Sequence, residues 1–343
     1  MQPESTAQQL CESEFVIIAG GLSQHGRLSN PGRRIVKEKM LVSIELDKTI
    51  VKAKSRLTID NLIDEMKDVL SKAWGMQSRS AIKSALAVLS NLSGHVTWEE
   101  YELIEKKISE KLGKSFANAV QKPVVEIQSA AWMHGAKKVL TPAKIDFMWS
   151  LPDIKSLKIL EENTLFWVGD FYGEHVQTDV RKTLNAYFTG GYQRKEVIWD
   201  LKLTLGEVLS SPENFRGTVE QYWDLLADHT STKIREIGRV SGYETAGIQK
   251  VKFRAQMDSR TTEICRIMNG RIIEVTAMRR QVEKYFQACG TKNKDKIKAS
   301  WPWVSNKKAE QWADKSTKLL GKRGITLPPL HANCRSITVA YFD

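Results

Sequence analysis

The sequence predicts an α+β protein: a mainly helical N-terminal region followed by an α+β module with a small antiparallel sheet. Two observations carry this. From Leu62 to Leu112 apolar residues recur at spacings of three and four, the period of one helical face. Past residue 250 the period becomes two: Val251, Phe253 and Ala255 alternate with Lys252, Arg254 and Gln256, as in a strand with one face buried. At 343 residues, with 41% hydrophobic and 27% charged side chains, the chain can bury a sizeable core and has a globular composition.

Residues 1–57 contain Gly20, Gly21, Pro31 and Gly32 followed by Arg33 and Arg34, and read as an irregular basic arm. Residues 58–150 read as a helical domain. Leu62, Ile63, Met66, Val69, Leu70 and Trp74 form one amphipathic stripe, and Ile82, Leu86 and Leu89 form another. Thr97 and Glu100 have capping-box spacing, and Trp98, Tyr101, Ile104, Ile108 and Leu112 supply the buried face that follows. Thr141-Pro142 has the order of a cap and a first-turn proline, predicting another helix start there. Beyond Pro152 helical spacing resumes, with breaks near Gly169, at Gly190-Gly191 and around Pro212. Tyr222, Leu225, Leu226 and Ile234 predict a long helix running toward Gly242. Ile272, Ile273 and Val275, and later Ile337, Val339 and Tyr341, offer strands to pair with Val251–Ala255. The module they belong to spans 151–343.

The net charge is +12 and unevenly placed. Residues 271–323 hold 14 Lys and Arg against 5 Asp and Glu, and residues 27–56 hold 9 against 3. Such zones suit a polyanion, nucleic acid first among them. Lys292, Lys294, Lys296 and Lys298, then Lys307 and Lys308, flank Trp301-Pro302-Trp303. These lysines are the candidate DNA contacts, with the two tryptophans either anchoring a loop on the core or stacking on bases.

Four cysteines, Cys11, Cys265, Cys289 and Cys334, form no C-x-x-C pair and are too few for a disulfide scaffold, which fits a reducing compartment. The N-terminus has no basic signal-peptide head, and its first apolar run is too short to span a bilayer. Cytosolic synthesis without a membrane anchor is expected. Phosphate-loop, nucleophile-elbow and H-E-x-x-H templates are missing from the sequence. His25, His95, His134, His175 and His229 are scattered and read as surface or core residues, so no side chain is assigned a catalytic role.

The most specific pattern joins two distant segments. Asp258, Arg260, Thr261, Cys265, Asn269 and Gly270 stand in the order D-x-R-T-x(3)-C-x(3)-N-G, and Pro328 to Arg335 reads P-P-L-H-A-N-C-R. Asp258, directly after the predicted strand, is expected to cap a helix over 261–268, with Arg260 pairing to it or to Glu263. Asn269-Gly270 is expected to stop that helix. Pro328 and Pro329 preset an extended segment that delivers His331 and Arg335, the latter as a partner for Asp258 or for a C-terminal carbonyl. Cys265, His331 and Cys334 are zinc-ligand types. If the halves meet, these three would share one place, either around zinc, with Cys289, Asp258 or water as a fourth ligand, or as a dry cluster of thiols and imidazole.

This pairing of motifs resembles the phage Mu F-like minor head proteins, strongest over 250–339 and covering the C-terminal half. In many members a second cysteine stands near the position of Thr262, which favours the dry cluster here. The resemblance implies a minor capsid or head-morphogenesis protein in the virion, near the portal vertex, made in the host cytoplasm. Its partners would be the portal protein, other capsid proteins and double-stranded DNA, bound without sequence preference. Gly270, Pro329, Asn333, Cys334 and Arg335 would be structural members of the motif. Two other classes compete. One is a DNA-processing nuclease holding a metal on Asp258, His331 and Cys334, though it lacks the expected second histidine. The other is a polymorphic-toxin delivery module, for which eight residues after Arg335 leave no toxin tail.

Overall fold

The computed structural model describes residues 54, 57–90, 95–190, 194–213 and 217–342, all inside one compact unit, 47–343. Most of the expected basic arm, with Cys11 and His25, lies outside the described residues. Seven longer helices come first: α1 (Ile59–Ser90), α2 (Trp98–Glu110), α3 (Phe116–Leu140), α4 (Leu151–Phe171), α5 (Gln177–Thr189), α6 (Arg194–Ser210) and α7 (Val219–Thr245). Then follow β1 (Lys250–Arg254), α8 (Glu263–Met268), β2 (Ile272–Glu274), α9 (Val275–Gly290), α10 (Lys294–Ser300), α11 (Asn306–Ala309), α12 (Thr317–Lys322) and β3 (Ile337–Tyr341). The fold is α+β and mainly helical, as the two sequence periods predict. None of the described helices is long and apolar enough to cross a membrane.

Local chemistry places the helix ends. Thr97 accepts from the Glu100 amide while the Glu100 carboxylate accepts from the Thr97 amide at 2.8 Å, the expected reciprocal cap of α2. The expected start at Thr141-Pro142 is not a start: Thr141 closes the C-terminus of α3, and Lys144 turns the chain with φ +57°. The next helix begins at Ser150, whose side chain caps the Asp153 amide with Pro152 in the first turn. Cap and proline occur in both places, but only Ser150 has an acidic residue three positions on to return the bond. The break expected near Gly169 is a single π-helical turn, Tyr172–Val176, joining α4 to α5 without interrupting the helical course.

The helical core centres on Trp74, Phe116, Phe171 and Trp223, from α1, α3, α4 and α7, with ring centroids 4.7–5.4 Å apart in the closest pairs. Trp74 Nε1 donates to the Leu209 carbonyl at 2.9 Å, so the polar edge is satisfied inside an apolar cluster. Helices α3 and α7 cross at backbone contact. A Cβ on Gly238 would lie 2.2 Å from the Trp132 oxygen, and one on Gly135 would lie 1.9 Å from the Arg235 oxygen. Only glycine permits this approach. The division expected at about residue 150 falls inside the compact unit, just before α4.

The sheet has order β2-β1-β3 and is antiparallel throughout. β1 is its centre: Val251 faces Ile273 on one side and Ala340 on the other. Val251, Phe253 and Ile273 are buried, matching the two-residue period. In β3 the fully buried residue is Thr338, while Ile337, Val339 and Tyr341 are only partly covered.

Candidate functional site

The two motif halves fold onto each other across the end of β1. After β1 the chain turns at Asp258. Its Oδ1 accepts from the Arg260 amide at 2.9 Å, its own amide donates to Thr261 Oγ1 at 2.8 Å, and the Thr261 hydroxyl donates to the Gln256 carbonyl at 2.5 Å. Asp258 therefore holds a side-chain turn rather than capping a helix over 261–268. α8 starts later, at Glu263, whose amide donates to Asn306 Oδ1 at 3.3 Å. The Arg260 side chain is exposed at this turn; the charged partner of Asp258 is Arg335. Its guanidinium reaches both carboxylate oxygens, Nη1 to Oδ2 and Nη2 to Oδ1, each at 2.9 Å. This fork geometry is the strong form of the pair, and it pulls the Asp258 carboxyl down to about 2. Asn269 ends α8, Gly270 follows with φ +83°, and Asn269 Oδ1 accepts from the Ala255 amide at 3.1 Å. The expected helix stop is there.

Behind this turn, Cys265, His331 and Cys334 come together, with their ligand atoms within 4.8 Å of one another. Cys265 Sγ lies 3.1 Å from His331 Nε2 and 3.7 Å from Cys334 Sγ. Ser336 Oγ donates to Cys265 Sγ at 3.1 Å, and His331 Nδ1 is 2.7 Å from the Ala332 carbonyl. A hydrogen bond from the Cys265 thiol, together with the imidazole, lowers the Cys334 thiol well below its ordinary range despite its burial. The same proton sharing, with burial, pushes Cys265 up. Burial alone would lower His331, but its contact with Cys334, its bond to the Ala332 carbonyl and the charge of Asp228 outweigh it and raise the imidazole.

A zinc ion fits three corners of this arrangement. Zn–S bonds near 2.3 Å in a tetrahedron separate two sulfurs by about 3.8 Å, close to the distance between Cys265 and Cys334. The fourth corner is different: no other Cys, His, Asp or Glu among the described residues joins the group. Cys289 packs instead with Tyr285 and Lys233, and Asp258 is committed to Arg335. The side chains thus fit a three-ligand site, not the closed four-ligand set of a structural zinc. Beside His331 a cavity of about 510 Å³ is lined by Asp60, Asp64, Asp224 and Asp228 from α1 and α7, with Arg260 and Arg335. Asp228 accepts from the Asn333 amide at 3.1 Å, and burial lifts its carboxyl to about 6. That bond holds the left-handed turn at Asn333, φ +53°.

A buried ionic network on α7 positions the second motif half. Glu236, fully buried, pairs with Arg235 Nε at 2.9 Å and Arg239 Nε at 3.3 Å, and accepts from the Thr338 hydroxyl at 2.9 Å. Arg235 donates to the Ser336 carbonyl at 3.2 Å, and Arg239 and Tyr243 donate to the Thr338 carbonyl at 2.7 and 2.8 Å. These bonds fix Ser336 and β3 to α7, and so hold Cys334 and Arg335, which directly precede them, at the site. The sequence did carry a signal. Lys233, Arg235, Glu236 and Arg239 put charge on several faces of a long helix, and Gly238 and Gly242 have the spacing of a close helix crossing.

The basic segment is spread over several elements. Lys294 is half-buried and paired with both Asp170 and Glu174, and Lys298 lies over the Trp167 ring at 5.6 Å. Lys292, Lys296, Lys307 and Lys308 are exposed. Trp301 is 2% exposed and donates to the Pro329 carbonyl at 3.1 Å, while Trp303 is 45% exposed and donates to His229 Nε2 at 2.8 Å. Trp301 thus anchors its loop. Comparisons with protein-family models, with curated proteins and with solved structures find no match to this chain.

Proposed function

We propose that this chain is a phage minor head protein of the Mu F-like kind, acting in head morphogenesis near the portal vertex and on packaged DNA. One observation carries the reading. Segments about seventy residues apart, each with its own order of uncommon residues, converge on one compact site through the Asp258–Arg335 fork and the Cys265–His331–Cys334 cluster. A chance motif match gives no reason for the halves to be spatial neighbours, whereas a shared structural module does. The exposed lysines 292, 296, 307 and 308, within a chain of net charge +12, supply the electrostatics for sequence-independent phosphate contact.

The nuclease alternative needs Asp258 as a metal ligand, and both of its oxygens are taken by Arg335. The head-protein reading is tested on particles purified from host cells carrying the gene with its neighbours. Mass spectrometry should find the chain in mature particles, in few copies and cosedimenting with portal protein, and its deletion should leave heads poor in DNA or non-infectious. Normal, infectious particles that lack the chain would refute the proposal.

A further inference from the structure

A second cavity, of about 390 Å³, opens between α4, α7, α9 and α10, and none of the residues lining it belongs to either motif half. Its walls are rings: Trp167, Tyr222, Tyr285, Trp301 and Trp303. Its polar floor is Lys233, which is 6% exposed. The ammonium has no carboxylate or hydrogen-bond partner among the described residues. Its contacts are with ring faces, 4.3 Å from the Tyr285 centroid and 5.2 Å from that of Trp301. A buried cation without a counter-ion is unfavourable, and here it borders a cavity rather than packed protein. Next to it Asn163 donates to the Tyr285 hydroxyl at 3.1 Å, and its Oδ1 is buried without a partner.

From this we infer that the cavity is a binding site for a small aromatic carboxylate, its flat body held between the tryptophan and tyrosine rings and its anionic group paired with Lys233. The ligand class follows from the lining. Electron-rich faces select a flat apolar body, the uncompensated ammonium selects an anion, and the volume lies at the small end of ligand pockets. Lys298, at 5.6 Å from the Trp167 centroid, adds positive charge. Glu174, also in the lining, is neutralised by Lys294 at 2.8 Å.

The titratable groups around Lys233 agree. Burial pushes its ammonium down to about 7, opposed by Cys289 on α9. His229, one turn earlier on α7, is held neutral by burial and by Lys233, and its Nε2 accepts from Trp303. Burial keeps Tyr285 protonated. Glu174 and His175 face the site from the α4–α5 turn, and Lys298 from α10. A bound carboxylate favours the charged lysine, so binding takes up a proton. Affinity should be full below about pH 7 and fall about tenfold per unit above it.

The test is calorimetric titration of the full chain with indole-3-acetate and with the neutral indole-3-acetamide. Saturable binding of the acetate is expected, with the amide about tenfold weaker or worse. Lys233→Met, which keeps the length and removes the charge, should lose about tenfold or more for the acetate and leave the amide unchanged. Circular dichroism of that variant separates a lost site from a lost fold, and Lys298→Met in the folded chain gives a second, independent loss. Equal binding of acid and amide, full acetate binding by a folded Lys233→Met, or no saturation at all would overturn the site. So would tighter binding of a mononucleotide than of the carboxylate.

Discussion

Replacing Lys233 with methionine should stabilise the protein, and by an amount that depends on pH. In the folded chain burial lowers the ammonium from its usual 10.5 to about 7; in the unfolded chain it returns to the usual value. Between these two values the unfolded state binds more protons, so stability rises with pH across the window. The destabilisation is fully present below about pH 7 and is relieved as pH approaches 10.5. At about 1.4 kcal/mol per pH unit, the full effect is about 5 kcal/mol. About 2 kcal/mol of it remains at pH 9, against nearly all of it at pH 6. Methionine is apolar, of similar length and does not titrate, so the variant removes the pH-dependent part, while losing cation–π contacts worth about 1–2 kcal/mol. Urea unfolding at pH 6, 7.5 and 9 reads the difference directly. The advantage of the variant over the wild type should grow by about 3 kcal/mol from pH 9 to pH 6. A difference that stays constant over this range, or that grows toward high pH, would show that Lys233 does not carry a lowered pKa, and the picture of an uncompensated buried cation would fall with it.

Four further outcomes follow from the geometry. Gly238→Ala should destabilise by about 3 kcal/mol or more, because its Cβ would meet the Trp132 oxygen at 2.2 Å; an unchanged unfolding midpoint would mean α3 and α7 separate easily. The Asp258–Arg335 pair, with the carboxyl pulled to about 2 against a usual 3.8, contributes stability that is present above about pH 4 and lost as pH falls toward 2. The stability gap between wild type and Arg335→Gln should therefore close over that interval, and a gap independent of pH would exclude the pair. Chelator should leave the unfolding curve unchanged, since three donors do not complete a structural zinc set; one zinc per purified chain, lost in Cys334→Ser, would contradict this. DNA affinity should fall linearly with salt on logarithmic axes. Reversing Lys296, Lys307 and Lys308 should flatten that line while Lys294→Ala leaves it unchanged, because Lys294 is already paired with Asp170 and Glu174; equal effects of the two variants would remove the distinction.

What the sequence revealed and what it hid divide along one physical line. Periods and caps are local, so the stripe on α1, the Thr97–Glu100 box, the stop at Asn269-Gly270 and the alternation in β1 were all legible. The failures came where several local signals compete, or where the deciding partner is distant. Thr141-Pro142 and Ser150-Pro152 look alike over two or three residues, and only the reciprocal bond from Asp153 separates them. Asp258 looked like a helix cap because it stands just before a helix; its carboxylate closes a local turn on the Arg260 amide instead, whereas its pairing with Arg335, 77 residues later, was among the partners the second motif half offered. The same reasoning explains why the four alternate lysines are not equivalent: Lys294 pairs with acids on α4 and its π turn and Lys298, though exposed, lies over a ring on α4, while Lys292, just before α10, and Lys296 are exposed. Thr338 and Glu236 are the limiting case. A threonine between valine-like neighbours reads as the outward residue of a strand, yet it is the one fully buried, since a fully buried glutamate on α7 needs its hydroxyl. A buried charge must be matched by partners drawn from anywhere in the chain, so its position cannot be inferred from spacing. Once such a charge is found, it identifies the segments that have to meet: here β3 with α7, and through β3 the second motif half with the first.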